Sequence, residues 1–251
     1  MPAPAEVFTP LADDYARYRP GYPAEMLDEL AAVCGLAPDW AVADVGSGTG
    51  NLARLLLAAG HSVAGVEPNR EMREAGERQL AAYPAFRSLN GAAEAIPLPD
   101  RSVDIVTVGQ ALHWFDVDRA KAEFRRILRG DQWVAVVWND RLLDDDFARE
   151  YNALTHTAAM RPSPCAAPLS AGLDRLFDAA EPQHAGFPHS QRFDLPGMLG
   201  RARSSGYLPP QDAPDYAELA ASMADLFNRH QRNGEVSFHY LAQLYVGRLD
   251  A

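Results

Sequence analysis

A few residues in this chain have types and spacings that permit chemistry: Asp44, Gly46, Gly48, Gly50, Glu67, Glu94, Gln110 and His113. The glycines fall in Asp44-Val45-Gly46-Ser47-Gly48-Thr49-Gly50, between an apolar run at 40–43 that reads as a strand and Leu52, Leu55, Leu56 and Ala59, spaced along one helix face. A turn that tight needs positive φ and close backbone approach, which glycine permits. Amides at the start of the following helix favour an anionic or hydrogen-bonding ligand group. The stretch therefore reads as the floor of a nucleotide-type pocket. Asn51 stands where a dinucleotide fingerprint needs its last glycine, and the loop has no phosphate-binding lysine.

Glu67 follows Gly50 by 17 residues, close to the spacing of a ribose-binding acid. A carboxylate there accepts from both ribose hydroxyls; alternatively it is a surface acid favoured by a helix N-terminus. Ala93 and Glu94 offer a backbone amide and a carboxylate for an adenine edge. Met72 packs either on that ring or in the core. His113 and Trp114 follow a strand end, as a proton acceptor with its aromatic neighbour or as a loop histidine beside a core tryptophan. The lead-in at 5–22 carries three tyrosines and two arginines. It reads either as a segment folded over something or as an ordinary start packed on the core.

The elements that must position these groups alternate. A helix opens at Pro23, carries Met26, Leu27, Leu30 and Val33, and stops at Gly35. Strands are predicted at 62–66, 86–89, 103–108 and 133–138, with helices at 51–59, 69–83 and 118–130. Apolar strands alternating with helices predict a doubly wound, mainly parallel sheet. In such sheets ligands bind outside the carboxyl ends of the strands. The glycine turn, Glu67, the 92–94 segment and 110–115 each follow a different strand, so four segments converge. Beyond Asn139 the expectations are a helix at 144–160, a loop at 161–172, a strand at 186–193, helices near 196–204 and 214–232, and a last strand at 236–249. Residues 194–232 read as an insertion capping the pocket within a single domain spanning 1–251.

The motifs Asp44-Val-Gly-Ser-Gly-Thr-Gly50, Gly65-Val-Glu-Pro-Asn69, Gly91-Ala-Ala-Glu-Ala-Ile-Pro-Leu-Pro99 and Ala111-Leu-His-Trp-Phe115, with the lead-in Tyr15-Ala-Arg-Tyr-Arg-Pro-Gly-Tyr22, resemble class I S-adenosylmethionine (SAM)-dependent methyltransferases. Within them the chain resembles the small-molecule branch that includes trans-aconitate methyltransferase-like proteins. The likeness is specific as far as Trp138 and looser beyond. It implies a seven-stranded sheet of order 3-2-1-4-5-7-6 with the last strand antiparallel. It implies that Asp44, Gly46, Ser47, Gly48 and Gly50 line the methionine end of SAM. Glu67 and Pro68 would lie on the ribose, Met72, Ala93 and Glu94 at the adenine, and Gln110 at the methionine amine. Tyr15 and Arg19, in a lid at 1–22, would cover the carboxylate, which an arginine grips by two hydrogen bonds. His113 and Tyr15 are the catalytic candidates, and His113, Trp114 and Tyr207 the acceptor-side ones. The family pattern fixes no general base. The product would be S-adenosylhomocysteine (SAH).

The totals bound the rest. A chain of 251 residues, 47% hydrophobic, buries a sizeable core. The net charge of −11 argues against nucleic acid as substrate. No run reaches the roughly 18 apolar residues of a membrane span, and the start lacks a basic head and apolar core, so the cytoplasm is the default location. Cys34 and Cys165 show no metal-ligand spacing, so no metal is expected. The reading is methyl transfer from SAM to a small-molecule acceptor, most readily a carboxylate or hydroxyl oxygen, by a monomer or homodimer. Two rivals stand beside it: a SAM-binding sensor or partner protein without turnover, and an NAD-type oxidoreductase, which Asn51 disfavours.

Overall fold

The computed structural model describes residues 11–157, 169–178, 181–205, 208–209 and 211–249. Strands form at Ala41–Val45 (β1), Ser62–Val66 (β2), Phe86–Leu89 (β3), Val103–Gly109 (β4), Leu128–Arg141 (β5), Gln183–Phe193 (β6) and Val236–Arg248 (β7). They lie side by side in the predicted order, 3-2-1-4-5-7-6. The pairs from β3 to β5 are parallel. β7 runs antiparallel to both β5 and β6. The inner strands are apolar on both faces because helices cover both, as a parallel sheet requires. β6 carries Pro188 and alternates in exposure, which an edge strand tolerates.

The helices are Ala12–Tyr18 (α1), Glu25–Cys34 (α2), Asn51–Ala58 (α3), Arg70–Gln79 (α4), Val117–Ile127 (α5), Asp146–Thr157 (α6), Leu169–Phe177 (α7), Leu195–Arg203 (α8) and Pro214–His230 (α9). Side-chain oxygens of Asn69, Asp116 and Asp194 cap α4, α5 and α8. On one face of the sheet, Met26 and Leu30 of α2 and Leu52 and Leu56 of α3 pack on Val42, Ile105 and Val137. On the other, Phe124 and Ile127 of α5 and Leu176 and Phe177 of α7 pack on Val45, Val106 and Val136. A third core joins Tyr151 of α6, Met198 of α8, and Met223 and Phe227 of α9 to Phe238 and Tyr240 of β7. Fully burying each such side chain contributes roughly 1.5–3 kcal/mol before ordering entropy is charged. Cys34 is buried and reduced; Cys165 lies outside the described residues.

Several boundaries differ from the sequence expectation. The predicted loop at 161–172 gives way to α7 from Leu169. Gly172 sits inside that helix because an added Cβ would lie 3.1 Å from Leu112, so its absence lets α7 close on the sheet. The fifth helix ends at Ile127, and β5 begins at once. Gly130 and Gln132, both at positive φ, carry the irregularity between the Leu128 and Trp133 pairings. β6 starts three residues early, at Gln183. The helix expected from 144 starts at Asp146, since Asp145 accepts the Ala148 amide.

Candidate functional site

The glycine turn leaves β1 with Gly46, Gly48 and Gly50 at φ +69°, +55° and +83°. The Gly46 and Ser47 amides donate to the Val66 carbonyl at 2.9 and 3.2 Å, which ties the turn to the end of β2. A Cβ on Gly46 would sit 2.6 Å from the Ala111 Cβ, and one on Gly50 2.6 Å from Leu80 Cδ1. Gly46 and Gly48 border the cavity below. Gly50 opens α3 and packs against Leu80, a structural duty that its position at a helix start explains.

Glu67 follows β2 and is buried. Its Oε2 accepts the Gly48 amide at 2.9 Å and its Oε1 the Asn69 amide at 2.8 Å. Burial raises its pKa, opposed by those amides and by Arg73. Each oxygen retains a further lone pair for a ligand hydroxyl. Asp44 ends β1 almost fully buried. Thr107 Oγ1 donates to its Oδ1 at 3.1 Å, while Oδ2 has no hydrogen-bond partner. Burial pushes its pKa from 3.8 to about 7; the Ala53 amide pulls the other way without bonding Oδ2 in normal geometry. A buried, half-satisfied carboxylate is poised for a cation.

A cavity of about 470 Å³ opens at these strand ends. That size suits a small-molecule site. Glu67, Pro68 and Met72 border it on one side, Ala93 and Glu94 on another, and Gln110, His113, Trp114 and Trp138 across from the turn. Tyr15 and Arg19 close it from the lead-in, with the guanidinium 4.7 Å from the tyrosine ring. Ser47 and Asp44 line a contiguous recess of about 40 Å³ shared with Tyr15, Arg19 and Gln110. Gln110 sits at φ +55°, with its amide bonded to the Val137 carbonyl at 2.9 Å and its side chain donating to the Asn139 carbonyl at 3.1 Å. A left-handed non-glycine residue at a cavity wall marks a position that the surroundings over-determine. Glu94 Oε1 accepts the Asp116 amide at 2.7 Å.

His113 lies between two tryptophans, 4.7 Å from Trp114 and 5.1 Å from Trp138. Burial lowers its pKa to about 4, so the ring is neutral near pH 7, and its buried Nδ1 has no hydrogen-bond partner. Tyr207 lies outside the described residues. Among the described residues, none that lines the cavity comes from 194–232. The insertion reaches the cavity through α1: Arg19 donates to the Ser204 carbonyl at 2.8 Å, and Arg203 pairs with Asp14 at 2.7 Å. Sequence reasoning missed Trp138, Phe115, Gly109 and Asn69 as wall residues. Trp138 was findable by the strand-end rule, since it closes the apolar run of β5.

The match to known proteins bears directly on this geometry. The family model for a methyltransferase domain matches residues 43–136, which hold the glycine turn, Glu67, Glu94 and His113. In these residues the chain is thus similar to methyltransferase domains. An uncharacterized methyltransferase of Mycobacterium tuberculosis is 42% identical over 127 residues, 51% of this chain and 49% of that protein. One from Schizosaccharomyces pombe is 31% identical over 129 residues, 51% and 50% of the two chains. The chain thus spans about half the length of the curated relatives it matches. In fold, it is similar to a protein described as a candidate type II methyltransferase from Anaeromyxobacter dehalogenans, with TM-score 0.68, 24% identity, and coverage of 92% and 98%. The trans-aconitate likeness has no counterpart among these proteins. SAM is the cofactor of such a methyltransferase domain, and the residues present fit it. The orphaned Asp44 oxygen suits its ammonium, the Glu67 lone pairs its ribose, and the bare glycine floor its close approach. Outside the domain, Asp144, Asp145 and His239 bring ligand atoms within 4.8 Å of one another. There Asp145 caps α6 and His239 Nδ1 contacts Asp144 at 3.0 Å.

Proposed function

We propose that the protein transfers a methyl group from SAM to a small-molecule acceptor. The observation that carries this reading is the meeting of Asp44, Glu67, Glu94 and His113 around connected cavities at four neighbouring strand ends. When bound, SAM supplies a methyl group on a sulfonium, already activated toward a nucleophile. The protein's part is orientation and exclusion of water. Glu67 holds the ribose hydroxyls and Glu94 with the Ala93 backbone holds the base edge, with Pro68 and Met72 on the flanks. Asp44 and Gln110 take the ammonium beside Gly46, Ser47, Gly48 and Gly50. Tyr15 and Arg19, in the lid formed by the lead-in, cover the carboxylate. Trp114 and Trp138 keep water from the methyl position. Aligning the nucleophile with the methyl accounts for several kcal/mol of barrier, about 7 or more in favourable cases.

A neutral acceptor needs its proton removed, and the His113 ring or Tyr15 as phenolate takes that role. With its pKa near 4, His113 is a weak base. This supports an acceptor oxygen that is already anionic. The insertion at 194–232 acts within one domain by bracing the lead-in over the cavity, through Ser204 on Arg19 and Arg203 on Asp14. The net charge of −11 supports a small molecule over nucleic acid. Among the described residues no helix is long and apolar enough to cross a membrane; cytoplasmic action as a monomer or homodimer is part of the proposal. Asn51 accepts from Gln79 at 3.2 Å, so the helix start is not bare as a dinucleotide would require, which disfavours the oxidoreductase.

Calorimetry with SAH tests the reading. Wild-type protein is expected to bind it, and Glu67→Ala to weaken binding by about ten- to hundredfold, as loss of charge-assisted hydrogen bonds does. Folded wild-type protein that shows no binding at millimolar SAH overturns it.

A further inference from the structure

The cavity wall changes character from one end to the other. Beside Glu67 and Glu94 it is acidic. Where Gly109, His113, Trp114 and Trp138 border it, it carries no formal charge near pH 7, the imidazole being neutral there. Among the described residues Arg19 is the only lysine or arginine on the wall, and it is engaged by the Tyr15 ring at 4.7 Å and the Ser204 carbonyl at 2.8 Å. An acceptor with several negative charges would meet acids and no uncommitted cation, and an uncompensated charge under cover is costly.

Three half-buried rings make the neutral end. His113 meets Trp138 nearly edge to face, at 78° and 5.1 Å, and Trp114 at a tilt of 43° and 4.7 Å. Neither pair is stacked, so the rings form an open corner along which a planar molecule can lie. His113 adds polarity to it. Its Nδ1 is buried without a hydrogen-bond partner, which leaves Nε2 as the nitrogen to meet a ligand. Orphaned buried N–H groups are rare, which puts the ring proton on Nε2. The corner thus offers aromatic surface beside a donor.

We propose that the methyl acceptor is a hydroxyaromatic compound, its ring laid along Trp138 and Trp114 and its oxygen, as phenolate, accepting from His113 Nε2–H. This rests on the methyl-transfer reading above and deepens it. In the transfer the phenolate oxygen bonds the methyl carbon as the carbon–sulfur bond breaks, and sulfur keeps that electron pair. The phenol proton has already gone to water, so the chemistry asks His113 for a hydrogen bond and not for a base. A hydrogen bond to the charged form favours it, so His113 is expected to ease ionisation of the bound phenol.

The test titrates 4-nitrophenol, nitrobenzene and tricarballylate separately into the SAH-saturated protein, by calorimetry. Wild-type protein is expected to bind both rings, and the aliphatic triacid is expected not to displace them. Trp138→Leu is expected to weaken both rings by about ten- to hundredfold, as loss of a stacking surface does, and Trp138→Phe to restore most of that loss. His113→Phe keeps a ring but no donor. It is expected to weaken 4-nitrophenol about tenfold or more, as loss of a hydrogen bond to a charged oxygen does, and nitrobenzene less than twofold. The absorbance of bound 4-nitrophenolate is expected to appear at lower pH in wild type than in His113→Phe. SAH binding by each variant reports that it is folded; if Trp138→Leu does not fold, His113→Phe with the two rings decides alone. No ring binding at millimolar concentration, binding indifferent to the variants, or tighter binding of tricarballylate overturns the proposal. So does a Trp138→Leu that weakens SAM but not SAH while no ring binds, since the corner then serves only the sulfonium. Failure of SAH to bind overturns methyl transfer instead, and the ring titrations repeated without SAH still report on the corner.

Discussion

Asp44 carries the most consequential single ionisation in the molecule. Burial holds its pKa at about 7 instead of 3.8. Between those values the folded protein keeps a proton that the unfolded chain releases, so stability is full below about pH 4 and falls as pH rises through 7. At about 1.4 kcal/mol per unit, the loss is on the order of 4 kcal/mol. Denaturant midpoints measured from pH 5 to 8 are expected to fall in the wild type and to stay flatter in Asp44→Asn, which cannot ionise. A ligand ammonium reverses the preference, so SAH binding near pH 7 is expected to release protons, seen as buffer-dependent heats. Much of this scale was legible in the sequence. The glycine turn and Glu67 are local patterns, and a carboxylate at a strand end needs only spacing to be noticed. Its burial was not legible, because that depends on Thr107 from β4 and on Tyr22 of the lead-in, which packs against Gly109.

At the scale of elements, the packing of α1 on α8 decides how the lead-in sits. An added Cβ at Gly200 would lie 2.2 Å from the Tyr18 ring, so the two helices meet only because that side chain is absent. Gly200→Ala is expected to push α1 outward, at a cost of roughly 1–3 kcal/mol typical of overpacking. Trypsin cleavage after Arg17 should then quicken, and SAH affinity should weaken because Tyr15 and Arg19 shift together; unchanged cleavage and affinity would show that α1 is not held there. No sequence pattern announced this contact, since the partners are 182 positions apart (200 − 18) and each looks ordinary alone. Helix α7 was hidden for a different reason: a glycine within it and the neighbouring prolines read as loop, yet Leu173, Leu176 and Phe177 form a buried stripe.

For the molecule as a whole, strand order was the most legible property. Continuous apolar strands demand helices on both faces, and the family motifs up to Trp138 fix which ends lie together. The later third, where β6 and β7 return, was readable only in outline. Coupling between cofactor and fold follows from the site's position on four central strands. Ligand at a hundred times its dissociation constant stabilises by about 2.7 kcal/mol. For a chain of this size that corresponds to a rise in Tm of roughly 5–10 °C. Differential scanning fluorimetry is expected to show that rise with SAH and none with NADH; the reverse result would favour the oxidoreductase.

One short helix bears on how molecules move in and out. Consecutive residues of α1 are tied to opposite neighbours: Asp13 to Arg78 on α4 at 2.9 Å, and Asp14 to Arg203 on α8 at 2.7 Å. Ala12 is wedged against Met72 and Ala75 on the first of these sides. The segment is thus a crossbar fastened at both posts, not a flap hinged at one. The two fastenings are unequal: the Asp13 pair is exposed and worth at most about 1 kcal/mol, whereas the Asp14 pair is half-buried, so the bar yields first on the α4 side.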